Sequence, residues 1–431
     1  MLKKFKFSNS YSFQNEVALD LSAELNQGLL DENGNPMPVD SELHNIVRNR
    51  IVEGRWGVLP VAAIYGKNAS GKTRLLKTLQ DVAKDALGDS FASATAFSSL
   101  TPYEQMIERR RYENAEKKFT PIRYFVCVVR GDMEYSLEYE LSSEGITFEE
   151  VKQRSLDSCT EEQLLYSRSL NELELGADER VGRLCEMLKD SDVKSLWFPS
   201  VAQSDVKLRK FYEWFRYVRD GITFNNVARN PNRWNELGKR IAGENDEPFK
   251  KKLLNFLRCL DSSITDIEGQ VVKDGSYTLW LYHRRHSTEY DAVADLIRDE
   301  SEGTLKLLEQ FPKIDKVLEQ GMPFICDELD RSLHPIAFKQ IVRMFNCPQI
   351  NNKNAQLIFT AHDTFVLDSD FLRRDEVHII DKDEHSVSTI TRLSDRNDVE
   401  PYPNMEYDFR TGVYGSFPKN MVDSYVSVEE A

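Results

Sequence analysis

The chain has 431 residues, room for about three structural units or one large domain carrying insertions. Its 40% hydrophobic and 29% charged residues are the balance of a globular protein and exclude a fibrous or wholly disordered chain. With 56 basic against 71 acidic side chains the net charge is −15, which argues against a protein that coats DNA, since neutralised phosphates supply most of that affinity. No run approaches the roughly 18 consecutive apolar residues that span a bilayer. No apolar segment follows the basic start MLKKFKFSNSYSF, so neither a membrane nor a leader is expected, and the expected location is cytoplasmic.

Leu2, Phe5, Phe7, Phe13, Val17 and Leu19 alternate imperfectly around Ser8-Asn9-Ser10 and predict one or two strands. Residues 27–57 are polar and rich in turn formers, and predict a surface loop or small insertion. The run VLPVAAIY at 58–65 is short, apolar and β-branched, as in a strand buried on both faces. It leads into GKNASGKT and then a helical pattern. A polar stretch at 89–120 precedes a period-two segment from 121, whose turns at Arg130-Gly131-Asp132 and Ser143-Glu144-Gly145 predict an antiparallel meander. Residues 155–260 read as mostly helical, with Phe211, Tyr212, Trp214, Phe215 and Tyr217 packing a helical core. A hairpin turning at Asp274-Gly275 follows. The last third alternates helix and strand: a helix over about 302–320, the strand MPFIC, a helix over about 335–345, then the strands QLIFTA and VHIID. The six cysteines (Cys127, Cys159, Cys185, Cys259, Cys326, Cys347) form no C-x-x-C pair, which fits mostly buried free thiols in a reducing compartment and argues against a cysteine metal site.

The strongest chemical signal is Gly66-Lys67-Asn68-Ala69-Ser70-Gly71-Lys72-Thr73, which matches G-x-x-x-x-G-K-[ST] at every position between a buried strand and a helix. Glycines at 66 and 71 let the backbone curl so that successive N–H groups point at phosphate oxygens. The helix N-terminus adds partial positive charge. Lys72 is expected to reach the β- and γ-phosphates and Thr73 to ligate Mg²⁺, so the chain is expected to bind ATP. Phe324-Ile325-Cys326-Asp327-Glu328 ends a strand in two carboxylates. Asp327 is expected to hold Mg²⁺, directly or through water, and Glu328 to orient the attacking water. Ser301-Glu302-Gly303 opens an apolar-periodic helix and is a second phosphate-binding device. His362 ends the strand FTAH and is placed to sense a γ-phosphate. Two basic runs, Arg109-Arg110-Arg111 and His283-Arg284-Arg285-His286, read as solvated faces or as local phosphate-binding patches. Asp381 and Asp383 form a D-x-D that reads as a solvated turn.

The set GKNASGKT, SEGTLKLL, FICDELDRSLHP and IFTAHDT resembles the ABC-type ATPases of the SMC/OLD-like branch, in particular the compact "AAA family ATPase" proteins of anti-phage defence systems such as PARIS, Septu and RloA-like modules. The opening LKKFKFSNSYSFQNEV and the late YDFRTGVYGSFP resemble the same group, so the likeness covers residues 1–80 and about 290–420. The resemblance implies an α/β P-loop NTPase of ABC-ATPase type with an antiparallel β subdomain and a helical insertion. It divides the chain into 1–84 (P-loop part of the ATPase domain), 85–154 (insertion and meander), 155–262 (helical insertion or lid) and 263–431 (hairpin, signature, Asp-Glu pair and switch histidine).

It also implies head-to-tail ATP sandwiches, with Ser301 and Gly303 of one subunit capping the γ-phosphate held by Lys72 of another. His362 matches the switch histidine, and Arg331 to Pro335 match the loop that crosses the interface. The signature SEGT departs from the transporter-like LSGGQ, long heptad arms are missing, and Gln80 lies too close to the P-loop to serve as the Q-loop residue. After His362 about 70 residues remain, too few for a Toprim nuclease domain. The implied role is a slow or partner-regulated ATPase that acts as sensor and scaffold for a separate nuclease or toxin, released by a phage trigger protein. The alternative is a DNA-repair ATPase of SMC type acting directly on DNA.

Overall fold

The computed structural model describes residues 1–23, 57–89, 104, 109–110, 120–156, 161–189, 194–223, 234–243, 246–259, 261–284, 292–295, 300–367, 371–396 and 404–415. Nearly all of the expected 27–57 loop, most of the polar 89–120 stretch, Arg111, Cys159, Arg285, His286 and the acidic tail lie outside them.

In chain order, β1 (Leu2–Ser8) and β2 (Val17–Asp20) form a hairpin, and β3 (Val61–Gly66) runs through the P-loop into α1 (Lys72–Leu87). The meander follows as β4 (Ile122–Arg130), β5 (Met133–Ser142) and β6 (Gly145–Ser155), extended by β7 (Gln163–Ser169) and β8 (Leu173–Leu175). Helices α2 (Glu179–Lys189), α3 (Phe198–Ser204) and α4 (Val206–Gly221) lead to the short β9 (Ile222–Thr223). Then come α5 (Asn235–Ala242), α6 (Glu247–Arg258), β10 (Ile264–Val271), β11 (Tyr277–His283) and β12 (Ala292–Asp295). The chain continues with α7 (Glu302–Gln320), β13 (Pro323–Cys326), α8 (Pro335–Asn346), β14 (Gln356–Thr360), β15 (Val377–Lys382), β16 (Ser388–Arg392) and α9 (Met405–Thr411).

These strands make three sheets among the described residues. One has six strands in the order β16-β15-β3-β14-β13-β9, parallel except where β16 pairs antiparallel with β15. A parallel sheet must be covered on both faces, and β3 shows how. Ala62 and Ile64 point into one core, shared with α1, α3, α4 and the antiparallel sheet. Val61, Ala63 and Tyr65 point into the other, shared with α5 to α8 and the β10–β11 hairpin. Every residue of β3 is therefore buried, which is why the strand carries no polar alternation. The second sheet is antiparallel with seven strands, β2-β1-β4-β5-β6-β7-β8. The third holds β10, β11 and β12. The mixed α/β architecture around a P-loop sheet is the one expected.

Two expectations are corrected. Residues 163–175 are strands, not helix: β7 pairs with β6 from Gln153 to Phe148. The buried carboxylate of Glu149 holds it there, accepting from Tyr166 Oη at 2.7 Å and Arg168 Nε at 2.8 Å. Tertiary pairing thus overrides the local Leu/Glu propensity. Arg110 belongs neither to a solvated face nor to a phosphate patch. It is buried and forks onto Asp85 of α1, with Nη1 to Oδ2 at 2.6 Å and Nη2 to Oδ1 at 3.1 Å. The aromatic cluster is core as expected, with Phe211, Trp214 and Phe215 fully buried.

Candidate functional site

Because β14 lies between β3 and β13, the carboxyl ends of these three parallel strands meet at one edge of the sheet, where ligands of α/β folds bind. The P-loop leaves β3, Asp327 and Glu328 leave β13, and Thr360 closes β14. A cavity of about 550 Å³ opens there, lined by residues 67–74 together with Glu328, His362, Tyr11, Ser12 and Lys382. Among the described residues that line it, Lys67, Lys72, Arg74 and Lys382 stand against one carboxylate, that of Glu328.

The P-loop is shaped by sterics. A Cβ on Gly66 would lie 2.2 Å from the Ile380 carbonyl oxygen, and Gly71 sits at φ 122°, so neither tolerates a side chain. Gly71 is also the N-cap of α1 and carries no capping group, so the first-turn N–H groups are left for an anion. Lys72, nearly buried, folds back to donate to the carbonyls of Gly66 at 2.7 Å and Lys67 at 3.1 Å. Burial pushes its pKa down, while Asp327, Asp330 and Glu328 pull it up. Lys67 and Asn68 form the outer lip. Lys67 donates to Gly415 O at 3.0 Å and faces Asp381 at 3.6 Å. Ala69 takes a left-handed φ of 64°, and Ser70 Oγ is buried without a partner.

The two expected metal ligands meet: Thr73 Oγ1 donates to Asp327 Oδ2 at 2.8 Å. Two adjacent hard oxygens beside a P-loop suit Mg²⁺, which keeps most of its other positions for water and phosphate. Thr360, which the sequence reading missed, fixes the other carboxylate oxygen. Its Oγ1 donates to Asp327 Oδ1 at 2.6 Å and accepts the Glu328 N–H at 2.7 Å. Glu328 holds a left-handed φ of 51°, a strained conformation for a residue with a side chain. Its Oε1 lies 3.8 Å from His362 Nε2, and its Oε2 accepts from Arg331 at 3.2 Å. Asp330 anchors the histidine segment by accepting the N–H groups of His362 at 2.8 Å and Asp363 at 2.7 Å.

Tyr11 and Ser12 were also missed, because their turn is remote in sequence. Tyr11 is held at φ 52°, donates to Asp81 at 2.8 Å and lies under the Arg74 guanidinium at 4.8 Å. The visible signal was a polar turn between apolar positions, which says nothing about what it faces.

Ser301 and Gly303 are not brought to this cavity. They line a second one, of about 810 Å³, with His283, Glu300, Ser332 and His334. Ser301 is the N-cap of α7, accepting the Thr304 N–H at 3.1 Å. Gly303 packs so closely that a Cβ would lie 3.0 Å from the Ser332 carbonyl oxygen. His283 faces Glu300 at 2.8 Å and Asp261 at 3.5 Å, so its run is not a uniformly basic patch. Asp381 and Asp383 flank the β15–β16 turn, where the Asp383 carboxylate accepts the N–H groups of His385 and Val387 at 2.9 and 2.8 Å. Among the described residues no group of metal-ligating side chains forms another centre, and no helix is long and apolar enough to cross a membrane.

A family model described as "AAA domain, putative AbiEii toxin, Type IV TA system" matches residues 61–368, from β3 past His362. No curated protein matches the chain. Among solved structures, the chain is similar to an Smc head domain with an extended coiled coil, bound to the C-terminal domain of ScpA, from Pyrococcus furiosus. The TM-score is 0.41 at 10% identity, covering 90% of this chain and 95% of that one.

Proposed function

This chain belongs to that AAA-domain family, and on that premise we propose that it is an ATP-binding, ATP-hydrolysing sensor and scaffold subunit of a two-component anti-phage defence system. Head-to-tail pairing driven by ATP would hold or activate a separate nuclease or toxin. The toxin–antitoxin wording of the family description supports the defence setting.

The observation that carries the hydrolytic reading is the chain of contacts Thr73–Asp327–Thr360–Glu328 beside Lys72. The uncapped amides of α1 and Lys72 bind the phosphates. Thr73 and Asp327 would hold Mg²⁺, which would supply positive charge to neutralise the phosphates. Glu328, its backbone fixed by Thr360, orients a water and takes its proton. His362, beside Glu328, faces the same space and senses the terminal phosphate. Each of these groups belongs to one chain, whereas the Ser301 turn opens on a different cavity. The Ser301 turn therefore fits a role on a neighbouring subunit's nucleotide.

The test is the solution mass of Glu328→Gln by light scattering with and without ATP. A dimer that forms only with ATP supports the shared site. A monomer in both conditions removes the self-sandwich, and a large assembly without ATP makes the nucleotide a modulator of a standing platform.

A further inference from the structure

Lys306 lies in the second turn of α7, fully buried, five residues after the N-cap Ser301. Lysine is rarely buried without a counter-ion, since desolvating an ammonium is costly. Here no carboxylate lies within salt-bridge distance among the described residues. Instead the ammonium spends its three donors on backbone carbonyls, those of Glu328 and Leu329 at 3.1 Å each and that of Arg331. Three carbonyls converging on one point repel one another unless a cation sits between them. The segment they belong to is strained at both ends, with Glu328 at φ 51° and Ser332 at φ 60°. Its far end also touches the start of α7: Ser332 Oγ lies 3.4 Å from Glu302 Oε2, and its carbonyl oxygen crowds Gly303.

We propose that Lys306 is a positioning residue that ties α7 to the Glu328–Ser332 turn, so that phosphate contact at Ser301 is felt at the backbone of Glu328. The inference rests on the reading of Glu328 as the water-orienting base and of Ser301 as a turn that meets another subunit's nucleotide. A helix is stiff, and five residues at 1.5 Å each make a lever of about 7.5 Å between the two contacts. In a head-to-tail pair, Ser301 and Glu328 of one chain serve different ATP molecules. Lys306 therefore couples the two sites and makes hydrolysis cooperative.

The experiment uses the full chain as wild type, Lys306→Met and Lys306→Arg, with Lys72→Ala as the inactive control. Steady-state ATP hydrolysis gives kcat, KM and the Hill coefficient, and a fluorescent N-methylanthraniloyl-ATP reports binding. For Lys306→Met we expect binding within about threefold of wild type, kcat down about tenfold or more with little change in KM, and a Hill coefficient reduced from above 1 to 1. Lys306→Arg, which keeps a cationic donor, restores most of kcat and the cooperativity. A purely structural lysine would lower binding and activity together. A folded Lys306→Met with wild-type kcat, or with an unchanged Hill coefficient, overturns the proposal. If the methionine variant shows no cooperative melt, Lys306→Gln replaces it and the same outcomes decide. Wild-type turnover no faster than that of Lys72→Ala would instead sink the ATPase reading itself, and this inference with it.

Discussion

The two cavities each end on a helix N-terminus, and the two termini are finished differently. At α1 the cap is Gly71, which contributes no side chain, so the first-turn amides face the cavity uncommitted to any cap, beside a Lys72 ammonium held on the Gly66 and Lys67 carbonyls. At α7 the cap is Ser301, whose hydroxyl already satisfies Thr304 N–H. An uncapped helix start at a cavity is an anion site complete in itself, because the orphan amides have no alternative. A capped start must give up or share its cap bond to bind a phosphate, which weakens it as an independent site. On the proposed reading, the first cavity would bind nucleotide by itself, and the second would contribute only to a nucleotide delivered on another surface.

The most severe way to break this contrast is Lys72→Ala. Removing the cation that the P-loop carbonyls hold should weaken ATP binding by about 10²-fold or more, read by calorimetric titration. Retained micromolar binding would mean the first cavity does not work through its P-loop. Next, Glu328→Gln should keep binding and reduce kcat by about 10²–10³-fold, read by phosphate release. Normal turnover would assign the water to another residue. Ser301→Arg sharpens the other half. It should leave ATP binding to the isolated chain within about threefold and, if the proposed shared site exists, abolish the ATP-dependent dimer that light scattering would detect, because on that reading the capped turn contributes across an interface. Loss of ATP binding by the monomer would show that the two cavities are one site. The smallest effect is expected for Thr360→Val, which keeps the shape and removes the bonds to Asp327 and to the Glu328 N–H. The Mg²⁺ concentration for half-maximal hydrolysis should rise by about tenfold, as for other groups that orient a metal ligand. An unchanged requirement would show that Thr73 alone holds the carboxylate.

The P-loop cavity was the legible part. Gly66, Gly71, Lys72 and Thr73 form a contiguous motif whose geometry is local, and Asp327 and Glu328 end a short apolar strand that only a buried parallel sheet explains. Thr360, Tyr11 and Lys306 were not legible, because each acts through residues distant in sequence: Thr360 on Asp327 33 positions away, Tyr11 on Asp81 70 away, Lys306 on Glu328 22 away. The same holds in the scaffold. β4 to β6 follow from alternation and their turns. β7 reads as helix until Glu149, buried on β6, claims Tyr166 and Arg168.

By itself the sequence determined the P-loop and the order of the α/β elements around it, and it singled out the residues proposed as phosphate, metal and water-orienting groups. Each of these follows from backbone sterics and side-chain chemistry over a few adjacent residues. Tertiary structure alone decided that Thr73, Asp327 and Thr360 converge, that Arg110 is spent on Asp85, that Ser301 faces a separate cavity, and that a buried ammonium joins α7 to Glu328. Those outcomes depend on which strand lies beside which and on what each polar group finds when water is removed, and neither is written in a local pattern.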